Sequence, residues 1–220
     1  MKKKLFIIIL LIALIFSNVY SDNIVTKEAL IKKIKNFFKK YKSLKGNFIL
    51  IRNGRVERGE FFYKSPNRFK MKFAFYSNDP NAVGKTIVSN GKNIWVYLRT
   101  LNVVVDQRIQ GATQNIAYSG AGFGIRRLIG KFKVQFLNND NKLKRVPGLK
   151  EPVRILQLNR SRSLTGFKEI LLFVRQDGFI SKSRAITNTN KAIELIRINV
   201  KLNIDISDKE FMFKIPKDAQ

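Results

Sequence analysis

The sequence predicts a mainly β (α+β) fold: about eleven antiparallel strands in a sandwich or barrel, preceded by one amphipathic helix. Three observations carry this. Beyond Gly46 the chain breaks into short β-rich runs at the spacing of roughly 8–12 residues typical of such folds. Asn53-Gly54, Asn90-Gly91 and Asp177-Gly178 fall between runs, where two-residue hairpin turns belong. No helix-length pattern recurs between the runs, which argues against a parallel α/β sheet.

Residues 1–21 read as a secretory signal and are set apart from the fold. Lys2, Lys3 and Lys4 precede an uncharged apolar run, Leu5 to Phe16, and Val19 and Ser21 suit a cleavage before Asp22. The run is short for a bilayer span, which needs about 20 apolar residues. That shortness and the polar Ser17-Asn18 exit argue against an uncleaved anchor. The expected mature protein is one soluble, exported domain, residues 22–220.

Thr26–Leu44 has helical periodicity. Leu30, Ile34, Phe37, Phe38, Tyr41 and Leu44 recur at spacings of three and four, with lysines filling much of the rest. Thr26 is the expected N-cap and Gly46 the expected stop. The expected strands are Asn47–Arg52, Val56–Lys64, Arg68–Tyr76, Thr86–Ser89, Ile94–Leu98, Val103–Ile109, Val134–Asn138, Val153–Asn159, Phe167–Val174, Ile180–Thr187 and Ala192–Leu202. In Arg68–Tyr76, Phe69, Met71, Phe73 and Phe75 point one way, and Arg68, Lys70 and Lys72 the other. An antiparallel sheet with one wet face fits that alternation. Gln110–Gly124 reads as a long loop, Phe123–Phe132 as a helical turn or two, and Lys142–Pro152 as a surface loop.

Composition excludes much chemistry. The chain has no Cys and no His, which removes disulfides, thiolate nucleophiles, His-based triads and the commonest metal ligands. It therefore also lacks an N-terminal Cys for lipid attachment. Lys and Arg number 43 against 15 Asp and Glu. The charge is spread along the chain, and export removes most nucleic-acid partners, so an anionic membrane surface or an acidic protein is the expected partner instead.

Gly84-Lys85-Thr86 is not a phosphate loop, because Asp79 stands where the first glycine belongs and a strand follows. Gly120-Ala121-Gly122-Phe123-Gly124 lacks the dinucleotide-loop spacing, since position 125 is Ile. Glu57 and Glu60 fall on opposite faces of a strand, and Asp205, Asp208 and Glu210 lack calcium-loop spacing. No catalytic or metal constellation emerges, and neither enzyme activity nor a cofactor is expected.

Several segments together resemble one family. They are Leu44-Lys45-Gly46-Asn47-Phe48, Gly59–Lys64 (GEFFYK), Ser65–Met71 (SPNRFKM), Ile87–Tyr97 (IVSNGKNIWVY) and Phe211–Pro216 (FMFKIP). In order and spacing the chain is similar to the periplasmic outer-membrane lipoprotein carriers, the LolA family. The resemblance implies an unclosed antiparallel barrel with a helical lid over a hydrophobic cavity. It implies a monomeric carrier that takes acylated lipoproteins from an inner-membrane ABC-type lipoprotein-releasing transporter to an outer-membrane acceptor. On this reading Phe48, Leu50, Phe61, Tyr63, Phe69, Met71, Phe73, Trp95 and Tyr97 line the cavity, and Leu30, Ile34, Phe37 and Phe38 form the lid face. The family's lid-holding arginine aligns with Ser65, which leaves Arg68 as the substitute latch. Two alternatives stay open: a carrier or sensor of the same fold for another lipid, and a periplasmic regulatory binding module without lipid.

Overall fold

A computed structural model of the chain describes residues 25–74, 84–108, 129, 132–160 and 167–220. The expected signal segment, the 110–124 loop and the Phe75-Tyr76 end of the third strand lie outside the described residues.

Helix α1 spans Lys27–Lys40. Thr26 caps it, its Oγ1 accepting from the Ala29 amide at 3.2 Å. Glu28 in the first turn and Lys39 and Lys40 in the last complement the helix dipole. The helix ends earlier than the expected Leu44. Tyr41 is already extended (φ −99°, ψ 108°), although its N–H still reaches the Phe37 carbonyl at 2.9 Å. The chain gains more by pairing Leu44 as a strand residue opposite Tyr63 and Leu202 than by one further helical turn. Gly46, the expected stop, lies inside that strand, where an added Cβ would come within 3.0 Å of the Ile198 carbonyl and the Phe61 ring.

Among the described residues eleven strands follow, matching the run spacing. They are β1 (Ser43–Arg52), β2 (Arg55–Lys64), β3 (Arg68–Phe73), β4 (Lys85–Ser89), β5 (Asn93–Leu98), β6 (Val103–Arg108), β7 (Phe132–Phe136), β8 (Val153–Arg160), β9 (Phe167–Arg175), β10 (Ile180–Thr187) and β11 (Ala192–Leu202). All pairings are antiparallel, and the strands form one sheet in the order β6-β5-β4-β3-β2-β1-β11-β10-β9-β8-β7. Among the described residues β6 and β7, the two ends of that order, do not pair, so the sheet is unclosed.

Register assigns each side chain to a face. One row runs Leu44, Tyr63, Phe69, Ser89, Ile94 across β1 to β5, and its neighbour runs Gly46, Phe61, Met71, Ile87, Val96. The other half continues from Leu50 through Leu195, Ser183, Leu172 and Leu156 to Phe136. These rows share the inner face. Their large side chains join Leu30, Ile34, Phe37 and Phe38 of α1 in one buried apolar cluster. Burying each contributes about 1.5–3 kcal/mol.

The outer face is not left wet where β1 to β5 lie. The segment from Asn203 to Gln220 crosses it. Ile206 and Phe211 pack on Phe62 in a small second core. Phe213 lies between the rings of Trp95 and Tyr97, with centroids 6.1 and 6.0 Å away. Asp208 pairs with Lys64 and Arg68, and Glu210 with Lys70. Gln220 then adds to the edge of β6, its amide donating to the Asn102 carbonyl and its carbonyl accepting from Val104.

Candidate functional site

The inner face and α1 make the site. Phe38 meets Tyr63 edge-on at 6.0 Å, Phe37 meets Phe179 at 5.3 Å, and Phe48 meets Phe73 edge-on at 4.8 Å. Edge-to-face packing of these rings makes the surface cohesive. Met71, 4% exposed, adds an unbranched side chain that adapts to irregular shapes.

Leu30, Ile34, Phe37 and Phe38, the expected lid face, are all buried. Phe48, Phe61, Tyr63, Phe69, Met71 and Phe73 lie beneath them, and Leu50 packs at the margin of the same cluster. At the rim Lys85 Nζ sits 2.7 Å from Glu57 Oε1 and 4.0 Å from the centre of the Phe73 ring.

Two expected lining residues are elsewhere. Trp95 pairs with Val88, which pairs with Lys70, and Tyr97 pairs with Thr86, which pairs with Lys72. That row is the outer one, so Trp95 and Tyr97 face the carboxy-terminal segment and not α1. The latch expectation is corrected as well. Arg68 also faces outward, 2.7 Å from Asp208, with its guanidinium 5.9 Å from the centre of the Phe211 ring. Ser65 touches the start of the sheet through its backbone, its N–H donating to the Lys42 carbonyl at 2.8 Å.

The β9–β10 turn packs closely against α1. Gly178 (φ +93°) packs so closely that an added Cβ would stand 2.4 Å from the Lys33 carbonyl oxygen. Phe179 follows and seats Phe37.

Two buried arginines that no sequence motif marks also lie on the inner face. Arg154 is 3% exposed and donates through Nε to the Asn141 carbonyl at 2.7 Å. Arg197 is 5% exposed, opposite Phe48, and donates to the Ile180 carbonyl at 3.1 Å. Burial pushes the Arg197 guanidinium down to about 10. It borders a cavity of about 160 Å³ with Leu149, Arg175, Phe179, Ser181 and Val200. The signal was parity: Arg154 shares a face with Leu156, and Arg197 with Leu195.

An aromatic inner face under an amphipathic helix is a binding architecture. Among the described residues no cluster of acidic side chains could hold a metal ion. The sequence profile of the outer membrane lipoprotein carrier protein LolA matches residues 39–214. The chain belongs to the LolA family.

A relative described as an outer-membrane lipoprotein carrier protein, from Francisella philomiragia subsp. philomiragia, is 28% identical over 219 residues, covering 96% of this chain and 95% of its own. Among solved structures, an uncharacterized conserved protein from Thermus thermophilus shares the fold at a TM-score of 0.58 and 13% identity, covering 88% of this chain and 96% of that one. MucB does so at 0.53 and 11% identity, covering 88% and 64%. The complex of Pseudomonas aeruginosa MucA and MucB gives 0.52 and 12%, covering 84% and 61%. At these identities the structures speak for the fold alone. Within this LolA-family chain, no helix among the described residues is long and apolar enough to cross a membrane.

Proposed function

We propose that this protein is a periplasmic carrier of acylated lipoproteins. Residues 1–21 direct export and are removed, and residues 22–220 act as one domain. Cargo comes from an inner-membrane ABC-type transporter and goes to an outer-membrane acceptor. One observation supports the reading: a single apolar cluster is shared between α1 and the inner face of the sheet.

The energetics suit transient holding. An acyl chain of about 16 carbons exposed to water costs about 12 kcal/mol, at about 0.8 kcal/mol per CH₂. Lifting α1 to admit it exposes Leu30, Ile34, Phe37 and Phe38, at a cost of roughly 6–12 kcal/mol on the same scale. One acyl chain and the helix therefore compete for the inner face on comparable terms, and a triacylated cargo brings about three such chains. Such an exchange holds cargo against water and still releases it to an acceptor.

The test is native mass spectrometry of the mature protein purified from cells that make acylated lipoproteins. A co-purifying triacylated protein, lost in Phe73→Glu and Phe69→Glu variants that remain folded by circular dichroism, is the expected result. Protein that is always empty, with full activity in both variants, overturns the reading. Free lipid without any acylated protein turns it toward a carrier of another amphiphile.

A further inference from the structure

We infer that the outward face of α1 is a docking surface for an anionic lipid bilayer. Lys32, Lys35 and Lys39 recur at spacings of three and four along it, and all three are exposed. Lys40 and Lys42 are exposed beside them, and Lys33 is half-buried. Glu28 is the helix's one carboxylate, and it pairs with Lys27 at 3.3 Å in the first turn. Among the described residues no carboxylate pairs with any of the other six lysines.

Ion pairs elsewhere neutralise a part of the cations, which outnumber the carboxylates 43 to 15. On the outer face of the sheet Lys64, Arg68 and Lys70 meet the carboxylates of the carboxy-terminal segment. Lys85 meets Glu57, Lys182 meets Glu194, and Arg175 meets Glu151 and Asp177. The carboxylates of these pairs belong to the sheet, its turns and loops and the carboxy-terminal segment, not to α1.

The occupant follows from the chemistry of the face. Protein interfaces are built on desolvated apolar or aromatic anchors and are depleted in lysine. Here the helix's exposed residues apart from lysine are Glu28, Ala29 and Asn36, so no anchor exists. A stripe of long ammonium side chains, about 10 Å from Lys32 to Lys39, needs no matching pocket when it meets a plane of lipid phosphates. Each basic residue near such a plane adds attraction within about one Debye length. This deepens the carrier reading, because docking through α1 brings the part that opens against the membrane that gives or takes the acyl chains. It is measured without cargo, so a failed cargo assay leaves its outcome untouched.

The experiment is sedimentation of the mature protein with phosphatidylglycerol–phosphatidylethanolamine vesicles and with pure phosphatidylcholine vesicles. The comparison is between Lys32→Gln/Lys35→Gln/Lys39→Gln and a control of equal charge, Lys191→Gln/Lys209→Gln/Lys217→Gln, whose lysines are exposed and remote in sequence. The expected result is partition onto the anionic vesicles only, weakened at least tenfold in the helix variant and less than twofold in the control. Raising salt from about 0.05 M to about 0.5 M should remove it. Equal losses in the two variants would make the attraction a property of overall charge and overturn the proposal. So would absence of vesicle binding, or binding of the helix face to an acidic protein while vesicles are ignored. Unchanged circular dichroism in both variants excludes misfolding as the cause.

Discussion

Arg68 Nη1 lies 2.7 Å from Asp208 Oδ2, on the side of the sheet away from α1. Lys64 holds the other oxygen of that carboxylate at 2.6 Å and also donates to the Ile206 carbonyl. The basic residue that follows the Pro66-Asn67 turn thus fastens the carboxy-terminal segment and not the helix. Arg68→Ala should raise amide hydrogen exchange across 204–213 by loosening that segment, and leave exchange in 27–40 within about twofold of the parent. Faster exchange in the helix with a quiet carboxy-terminal segment would restore Arg68 as a lid latch.

The same pairs give a pH dependence. Hydrogen bonding from Lys64 first, and from Arg68 next, holds the Asp208 carboxyl below the ordinary aspartate range. Lys70 does the same for Glu210. A carboxyl depressed in the folded state adds stability that is complete above its unfolded-state value and is lost as pH falls through the folded one. The thermal midpoint should therefore fall on acidification below about pH 4, and Asp208→Asn with Glu210→Gln should show a shallower fall. Parallel curves for parent and variant would mean that neither carboxyl differs between the two states.

The faces of β3 were legible in the sequence because Arg68, Lys70 and Lys72 mark one side and Phe69, Met71 and Phe73 the other. Those of β5 were not. Ile94-Trp95-Val96-Tyr97-Leu98 is apolar at every position, so alternation has nothing to alternate with. The run is apolar throughout because both sides are covered, one by the core under α1 and one by Phe213. Only the strand register, Val88 opposite Trp95, resolves it. The helix end was hidden for a similar reason. Leu44 fits the helical period and the strand alternation equally, and its partners Tyr63 and Leu202 are remote in sequence.

Trp95 is the chain's one tryptophan, and its position makes a spectroscopic test. It stacks on Phe213 at 26° on the outer face. A brominated acyl chain taken up beneath α1 should leave its fluorescence nearly unquenched, because the sheet separates the two. Phe213→Ala should shift the emission to the red by exposing the indole. Strong quenching of the parent protein by the brominated chain would return Trp95 to the inner face.

The hold on the helix can be weakened from either side of its contact. Ile34 is fully buried, and Ile34→Ala removes side-chain atoms into a cavity, at a cost of about 2–5 kcal/mol. Gly178 acts through its backbone. At φ +93° a β-carbon costs about 1–2 kcal/mol, and here it would also stand 2.4 Å from the Lys33 oxygen. The turn must shift or the helix must rise. Gly178→Ala should therefore lower the thermal midpoint and speed exchange in 27–40 more than in β1 and β2, since the strain falls on the helix–turn contact. The two variants separate packing from fastening. Ile34→Ala removes apolar contact with the inner face, whereas Gly178→Ala leaves that face intact and loosens what closes over it. If α1 opens before an acyl chain enters, as the proposed carrier requires, an acyl probe should bind faster to Gly178→Ala than to the parent protein. An unchanged association rate with clearly faster helix exchange would mean that acyl chains reach the inner face without displacing α1.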